Sequence, residues 1–243
     1  MELQLFETHE MQSAAAAALI INTVKKNPAA VFCFATGDSP RRTYELLAER
    51  AAGEKIDFSK CTLIGLDEWM GVDPANTGSC HCFLQTYLIK PLGLSPGQVH
   101  LFDAMATVEQ SECEKMDQFI REKGGIDCML VGVGMNGHIG FNEPGTSEHL
   151  TAHVIGLDPI TLTVGQKYFT DTMQAKKGIT LGLKQVMEAR ILLMMANGKK
   201  KAGIIQQAAE GAISNKVPAS FIRQHHNGIL MLDSEAASAL KQQ

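Results

Sequence analysis

The stretch Val131-Gly-Val-Gly-Met-Asn136-Gly137-His138-Ile-Gly-Phe-Asn142-Glu143-Pro144 follows directly on the apolar run Asp127-Cys-Met-Leu-Val131. The run reads as a buried strand. It empties into a glycine-rich turn that carries one histidine, two asparagines and a glutamate. Glycine permits a sharp turn and lets a ligand approach the main chain. A histidine with a glutamate five residues on suits acid/base work near neutral pH. Taken alone, the stretch reads equally well as a turn with a surface histidine and a solvated glutamate.

The same arrangement recurs three more times. Ala30-Val-Phe-Cys-Phe-Ala35 ends in Thr36-Gly37-Asp38-Ser39-Pro40, and a helical pattern follows. Cys61-Thr-Leu-Ile-Gly-Leu66 ends in Asp67-Glu68-Trp69. Ala189-Arg-Ile-Leu-Leu-Met-Met-Ala196 ends in Asn197-Gly198-Lys199-Lys200-Lys201. In open α/β sheets, ligands bind outside the carboxyl ends of the strands. Four polar groups at that edge outweigh one.

Outward from these four ends, strands and helices alternate. Helices are expected at 10–25, 40–53, 80–91, 108–123, 183–187 and 199–213. Strands are expected at 30–35, 61–66, 99–101, 127–133, 151–156, 178–182, 190–196 and 228–232. The alternation predicts a single Rossmann-like α/β domain over residues 1–243: three layers, a mostly parallel sheet and helices on both faces. The polar, weakly patterned stretch at about 156–177 is expected to be a mobile flap.

Composition excludes several function classes. An apolar content of 45% is enough to bury a full core, and a net charge of -4 argues against nucleic acid as a partner. Met1-Glu-Leu-Gln-Leu-Phe-Glu lacks the basic start and apolar core of a signal peptide, and the apolar run from Ala14 to Ile21 is too short to span a bilayer. A cytoplasmic protein with no membrane partner is expected. Cys33, Cys61 and Cys128 sit in apolar runs, as small hydrophobes do. Cys80-His81-Cys82 lacks a second ligand pair at usable spacing, so no metal is expected. His225-His226 reads as a surface pair.

Each strand end has its own chemistry. Asp38 or Ser39 can cap the helix after Thr36-Gly37-Asp38-Ser39, with Pro40 in its first turn. The amides at such a start form an anion site, and phosphate is the usual ligand. The Gly-Lys-Ser/Thr ending of a P-loop is missing. In Asp67-Glu68 successive side chains point to opposite sides, so one acid can face the cleft as a base while the other supports the loop. Lysines at 199–201 oppose the dipole of the helix they start, a conflict that a bound anion relieves.

Together these motifs resemble the glucosamine-6-phosphate deaminase/isomerase family, including its galactosamine-6-phosphate branch. The resemblance is carried by Thr36–Pro40, by Leu66-Asp67-Glu68-Trp69 and by Gly132–Pro144. Gly178-Ile-Thr-Leu-Gly182, Gly198–Lys201 and Val217-Pro-Ala-Ser220 extend it over nearly the whole chain. Ser79-Cys80, Phe83-Leu-Gln85, Pro91-Leu-Gly-Leu94 and Gly178–Lys184 look most like the galactosamine branch.

The resemblance implies a hexosamine-6-phosphate deaminase/isomerase that needs no cofactor. It would convert glucosamine or galactosamine 6-phosphate to fructose or tagatose 6-phosphate and ammonia. It implies that Asp67 moves the proton between C1 and C2, and that His138 opens the sugar ring, oriented by Glu143. Asn136 stands where some members have aspartate. Thr36, Gly37, Asp38 and Ser39 would hold the phosphate together with Lys201. Lys167, where relatives carry arginine, would join them with a point charge in place of a fork. Allosteric members are longer and more basic after the glutamate, where this chain has His153 and Ile155, so allosteric activation is not expected. Two alternatives remain at this point: a 6-phosphogluconolactonase-like hydrolase, and a phosphosugar-sensing module without catalysis.

Overall fold

The second strand shows how the sequence builds the sheet. Val31, Cys33 and Ala35 face one apolar core, while Phe32 and Phe34 face another. The same alternation divides Met129 and Val131 from Cys128 and Leu130, and Leu192, Met194 and Ala196 from Leu193 and Met195. A strand that is apolar on both sides must be covered on both sides, which is why these runs are continuous rather than alternating.

The structure, a computed structural model, describes residues 1–241. In chain order the elements are β1 (Glu2–Phe6), α1 (His9–Lys26), β2 (Val31–Phe34), α2 (Asp38–Glu54), β3 (Thr62–Gly65), β4 (Asp67–Trp69), α3 (Cys80–Leu84), α4 (Lys90–Leu92) and β5 (Val99–His100). There follow α5 (Glu109–Glu122), β6 (Cys128–Gly132), β7 (His153–Gly156), α6 (Pro159–Gly165), β8 (Lys177–Thr180), α7 (Leu183–Glu188), β9 (Leu192–Ala196), α8 (Ala202–Glu210) and β10 (Gly228–Asp233). Seven strands form a parallel sheet in the order β1-β10-β9-β6-β2-β3-β5. Helices α1, α2 and α3 cover one face; α5, α7 and α8 cover the other. The expected α/β class and two-faced parallel sheet are what the chain adopts. No helix among the described residues is long and apolar enough to cross a membrane.

The topology explains why four distant stretches meet. From β2 the chain winds outward through β3 and β5, then returns to β6 on the other side of β2 and winds outward through β9 and β10. The direction reverses between β2 and β6, and a crevice opens at such a switch point. The four polar stretches end or follow β9, β6, β2 and β3, which are consecutive neighbours in the sheet.

The structure departs from the sequence reading in several places. β1 is an extra strand at the sheet edge, held by parallel pairing with β10; its exposed Leu5 and intervening polar residues hide the usual pattern. Asp67-Glu68-Trp69 is a strand of a second, antiparallel sheet in the order β4-β8-β7. The helix expected at 80–91 is interrupted by a π turn, Gln85–Ile89. The stretch at 156–177 contains α6, whose β-branched residues obscure a helix. Asp158 caps it at Ile160 N (2.7 Å), and Pro159 opens it. His225 is buried and stacks on His226, ring centres 4.6 Å apart, so the expected surface pair is half interior.

Candidate active site

A cleft of about 610 Å³ lies over the switch point. It is lined by Thr36, Gly37, Asp38 and Ser39 from the β2 end and by Asp67 beyond β3. Gly134 and His138 come from the β6 loop, and Lys201 follows β9; Thr161 and Lys167 close it from the 156–177 segment. Glu143 and Asn136 stand behind His138 rather than in the cleft wall. All ten residues singled out in the sequence are therefore brought together, eight in the wall and two supporting it.

The Asp67-Glu68 pair divides as the pleat requires. Asp67 faces the cleft, while Glu68 turns inward and is 3% exposed. Glu68 accepts from Trp69 N (2.9 Å), Cys80 N (2.9 Å) and His81 N (2.7 Å). It thus satisfies free amides at the start of α3. Burial, and then the neighbouring Glu68 charge, pushes the Asp67 carboxyl up to about 7, against a weaker opposing pull from the Cys80 thiol. A carboxyl in that range exchanges protons readily at neutral pH.

His138 is held from behind. Its Nδ1 lies 3.2 Å from Glu143 Oε2 and 3.0 Å from Thr161 Oγ1. A carboxylate only accepts, so Nδ1 carries the proton and Nε2 is the nitrogen available for exchange. Asn136 Nδ2 donates to the same Glu143 oxygen at 2.9 Å, and Asp158 N donates to Glu143 Oε1 at 3.2 Å. Burial would push the Glu143 carboxyl up, but His138, Thr161 and Asn136 together hold it below the ordinary value. Asn136 also accepts from His138 N at 3.2 Å. Asn142, for all its place in the motif, is a brace: it is buried and donates to Ile139 O (2.9 Å) and Leu181 O (2.8 Å). A Cβ on Gly134 would lie 2.3 Å from His138 Nε2, so the ring occupies space that only glycine leaves.

The opposite end of the cleft is cationic. Gly37 has φ 109° and faces Tyr168, which closes over it. Ser39 Oγ donates to Asn197 Oδ1 at 2.6 Å, joining the β2 and β9 loops. Lys167 Nζ pairs with Asp38 Oδ2 across the cleft mouth at 2.5 Å. Lys201 Nζ donates to Val133 O. Burial, with Lys167 nearby, pushes the Lys201 ammonium down to about 8, against a weaker pull from Asp38. The Thr36 hydroxyl donates to Cys80 Sγ at 3.1 Å, so what Thr36 offers an anion is its main chain.

Sequence reasoning overlooked several groups. Thr161 and Tyr168 belong to the segment with no clear pattern. Gln12 is buried in α1 and donates to Ala196 O (2.9 Å) and Met231 O (2.6 Å), where β9 and β10 end. Asp233 accepts from Gly198 N at 3.0 Å and fixes the lysine turn. Only the Asn-Gly pair at 197–198 offered a turn signal. Among the described residues, no group of three or more His, Cys, Asp or Glu side chains is placed to hold a metal ion.

Residues 7–231 match the family described as glucosamine-6-phosphate isomerases/6-phosphogluconolactonase. The chain belongs to that family. It is 34% identical over 240 residues to a glucosamine-6-phosphate deaminase of Rhodopirellula baltica, covering 98% of this chain and 96% of that protein. It is 35% identical over 234 residues to the glucosamine-6-phosphate deaminase of Bacillus pumilus, covering 96% and 97%. A solved structure of a monomeric glucosamine-6-phosphate deaminase superposes with a TM-score of 0.95 at 32% identity, covering 98% of this chain and all of that one. The 6-phosphogluconolactonase of Trypanosoma brucei, with a TM-score of 0.79 and 20% identity over 99% and 98%, shares the fold.

Proposed function

We propose that the chain is a deaminase and isomerase of 2-amino-2-deoxyhexose 6-phosphates. The observation that carries this reading is one cleft with a carboxyl, Asp67, and a carboxylate-held imidazole, His138, at one end and Lys201 at the other. Its volume suits a single small ligand. An anionic 6-phosphate fits the amides at the start of α2 and the ammonium of Lys201, with Lys167 joining them from the 156–177 segment at the cleft mouth. The 6-carbon sugar then extends toward Asp67 and His138.

In this reading His138 Nε2 exchanges the proton that opens the ring, so that the C1–O5 bond breaks and C1 becomes an aldehyde. Asp67 takes the proton from C2. The C2–H electrons form a C1–C2 double bond, and the carbonyl oxygen takes a proton, giving an enolamine. Return of a proton to C1 gives an iminium at C2. Water adds there, and ammonium leaves from the ketose 6-phosphate. Glu143 and Asn136 hold the His138 tautomer throughout. The charge of an anionic sugar phosphate and the six free cysteines suit a cytoplasmic setting.

The test is ammonium release by the purified protein from glucosamine 6-phosphate and galactosamine 6-phosphate, with 6-phosphogluconolactone as a third substrate. Ammonium from either hexosamine supports the reading. Lactone hydrolysis with no ammonium from both hexosamines overturns it.

A further inference from the structure

One thiol joins the two ends of the cleft. Cys80, the first residue of α3, is 4% exposed and lines the cleft wall. Its sulfur accepts from Thr36 Oγ1 at 3.1 Å and lies 3.8 Å from Asp67 Oδ1, to which its S–H donates. The sulfur is itself fixed. Cys80 N donates to Glu68 Oε1 at 2.9 Å and His81 N to Glu68 Oε2 at 2.7 Å. Ser79 Oγ accepts from Cys82 N at 2.9 Å, which holds the first turn of the helix. The residue next to Asp67 on β4 therefore sets where the thiol stands relative to Asp67.

We propose that Cys80 is a positioning residue, whose thiol holds Asp67 Oδ1 in one orientation for proton transfer at substrate C2 and links it to the β2 loop through Thr36. The inference rests on Asp67 being the base in the reaction proposed above. A thiol suits the role because it must stay protonated to donate. Burial, then the Glu68 and Asp67 charges, pushes the Cys80 thiol well above the usual thiol range. A hydrogen bond accepted from Thr36 strengthens the one donated to Asp67. The other ionisable groups near Asp67 are few: Glu68 on its own strand, Cys33 on β2, Tyr44 on α2, and His138 across the cleft. Cys33 and Tyr44 are buried and neutral at working pH, both being pushed up by burial. The Cys80 thiol favours the ionised form of Asp67, and Glu68 opposes it.

The experiment is a carbon-13 titration of the Asp67 carboxyl, assigned by comparison with Asp67→Asn, in the wild type, Cys80→Val and Cys80→Ser. Valine removes the donor while keeping the site apolar, with one methyl more of bulk, and Cys80→Ala removes the donor without adding any. Its Asp67 midpoint is expected to rise by about half a pH unit, a modest amount because S–H is a weak donor. Serine, which restores a donor, is expected to return it to the wild-type value or below. The acid limb of kcat/KM should move with the midpoint in each variant while KM for the sugar phosphate stays within about twofold. Should valine not fold, Cys80→Ala is expected to move the midpoint in the same direction. An Asp67 midpoint unchanged in the donor-free variant overturns the proposal. The titration needs no turnover, so its failure is separate from a failure to release ammonium, which would overturn the reaction instead.

Discussion

Replacing Asp67 by asparagine should stabilise the protein while abolishing its chemistry, and the two effects should share one cause. An ordinary aspartate titrates near 3.8, whereas burial and Glu68 push this one up to about 7. Below the ordinary value both folded and unfolded chains hold the proton, and the carboxyl contributes no difference. Between that value and about 7 only the folded chain holds it, so stability falls as pH rises through this window. Above about 7 both forms are ionised and the full cost of a partly buried carboxylate is borne by the folded state. A gap of roughly three pH units corresponds to a ceiling of about 4 kcal/mol. Asp67 opens onto the cleft, where water screens it, so about half of that is expected. Asparagine keeps the shape and carries no charge. At pH 8 the variant should therefore melt about 4–8 °C above the wild type, a difference that shrinks toward zero near pH 4. Thermal unfolding across pH 4–9 measures this directly. A difference that is flat with pH, or of opposite sign above pH 7, would refute the assignment of a raised Asp67.

Other expectations follow from single contacts. His138→Gln should slow turnover about 10²–10⁴-fold on closed-ring substrate, as loss of a general acid/base does; a loss under about tenfold in steady-state assays would make His138 structural. Gly134→Ala puts a Cβ where His138 Nε2 lies. It should cost about 10²-fold in kcat/KM through misplacement of the ring, with circular dichroism unchanged. Lys201→Ala should raise KM for the phosphorylated sugar about 10–100-fold and weaken competition by inorganic phosphate, and Lys167→Ala should do so less, since its charge is half exposed. With Lys201 pushed down to about 8, binding of phosphate to the wild type should weaken as pH rises through 8; isothermal titration at pH 6.5 and 9 checks it.

The strand runs were legible because each is buried on both faces, so β2, β6, β9 and β10 appear as unbroken apolar segments. The cleft was legible for the same reason: polar residues that interrupt such runs stand at strand ends. What the pattern could not place was held by long-range contacts. β1 depends on pairing with β10 more than two hundred residues away, and its exposed Leu5 breaks the expected alternation. Helix α6 depends on its Asp158 cap and on packing of Gly165 against Trp69, where a Cβ would meet the indole at 2.5 Å. Its β-branched residues suggest anything but a helix. The alternation rule did assign Asp67 and Glu68 to opposite sides, but it had no access to Cys80 or Thr161. Those residues touch the site from α3 and α6; Thr161 lies in no motif, and the motifs that held Cys80 pointed to a metal or a family branch rather than to Asp67.

In the proposed reaction Asp67 removes the proton from C2 of a hexosamine 6-phosphate. The most direct measurement supplies substrate deuterated at C2 and follows the label and ammonium together. Each ammonium released by the wild type is expected to be matched by one broken C2–D bond, with the label found at C1 of the ketose or in water. Asp67→Asn is expected to break none while still binding the sugar phosphate. Loss of the C2 label by Asp67→Asn at the wild-type rate would contradict it.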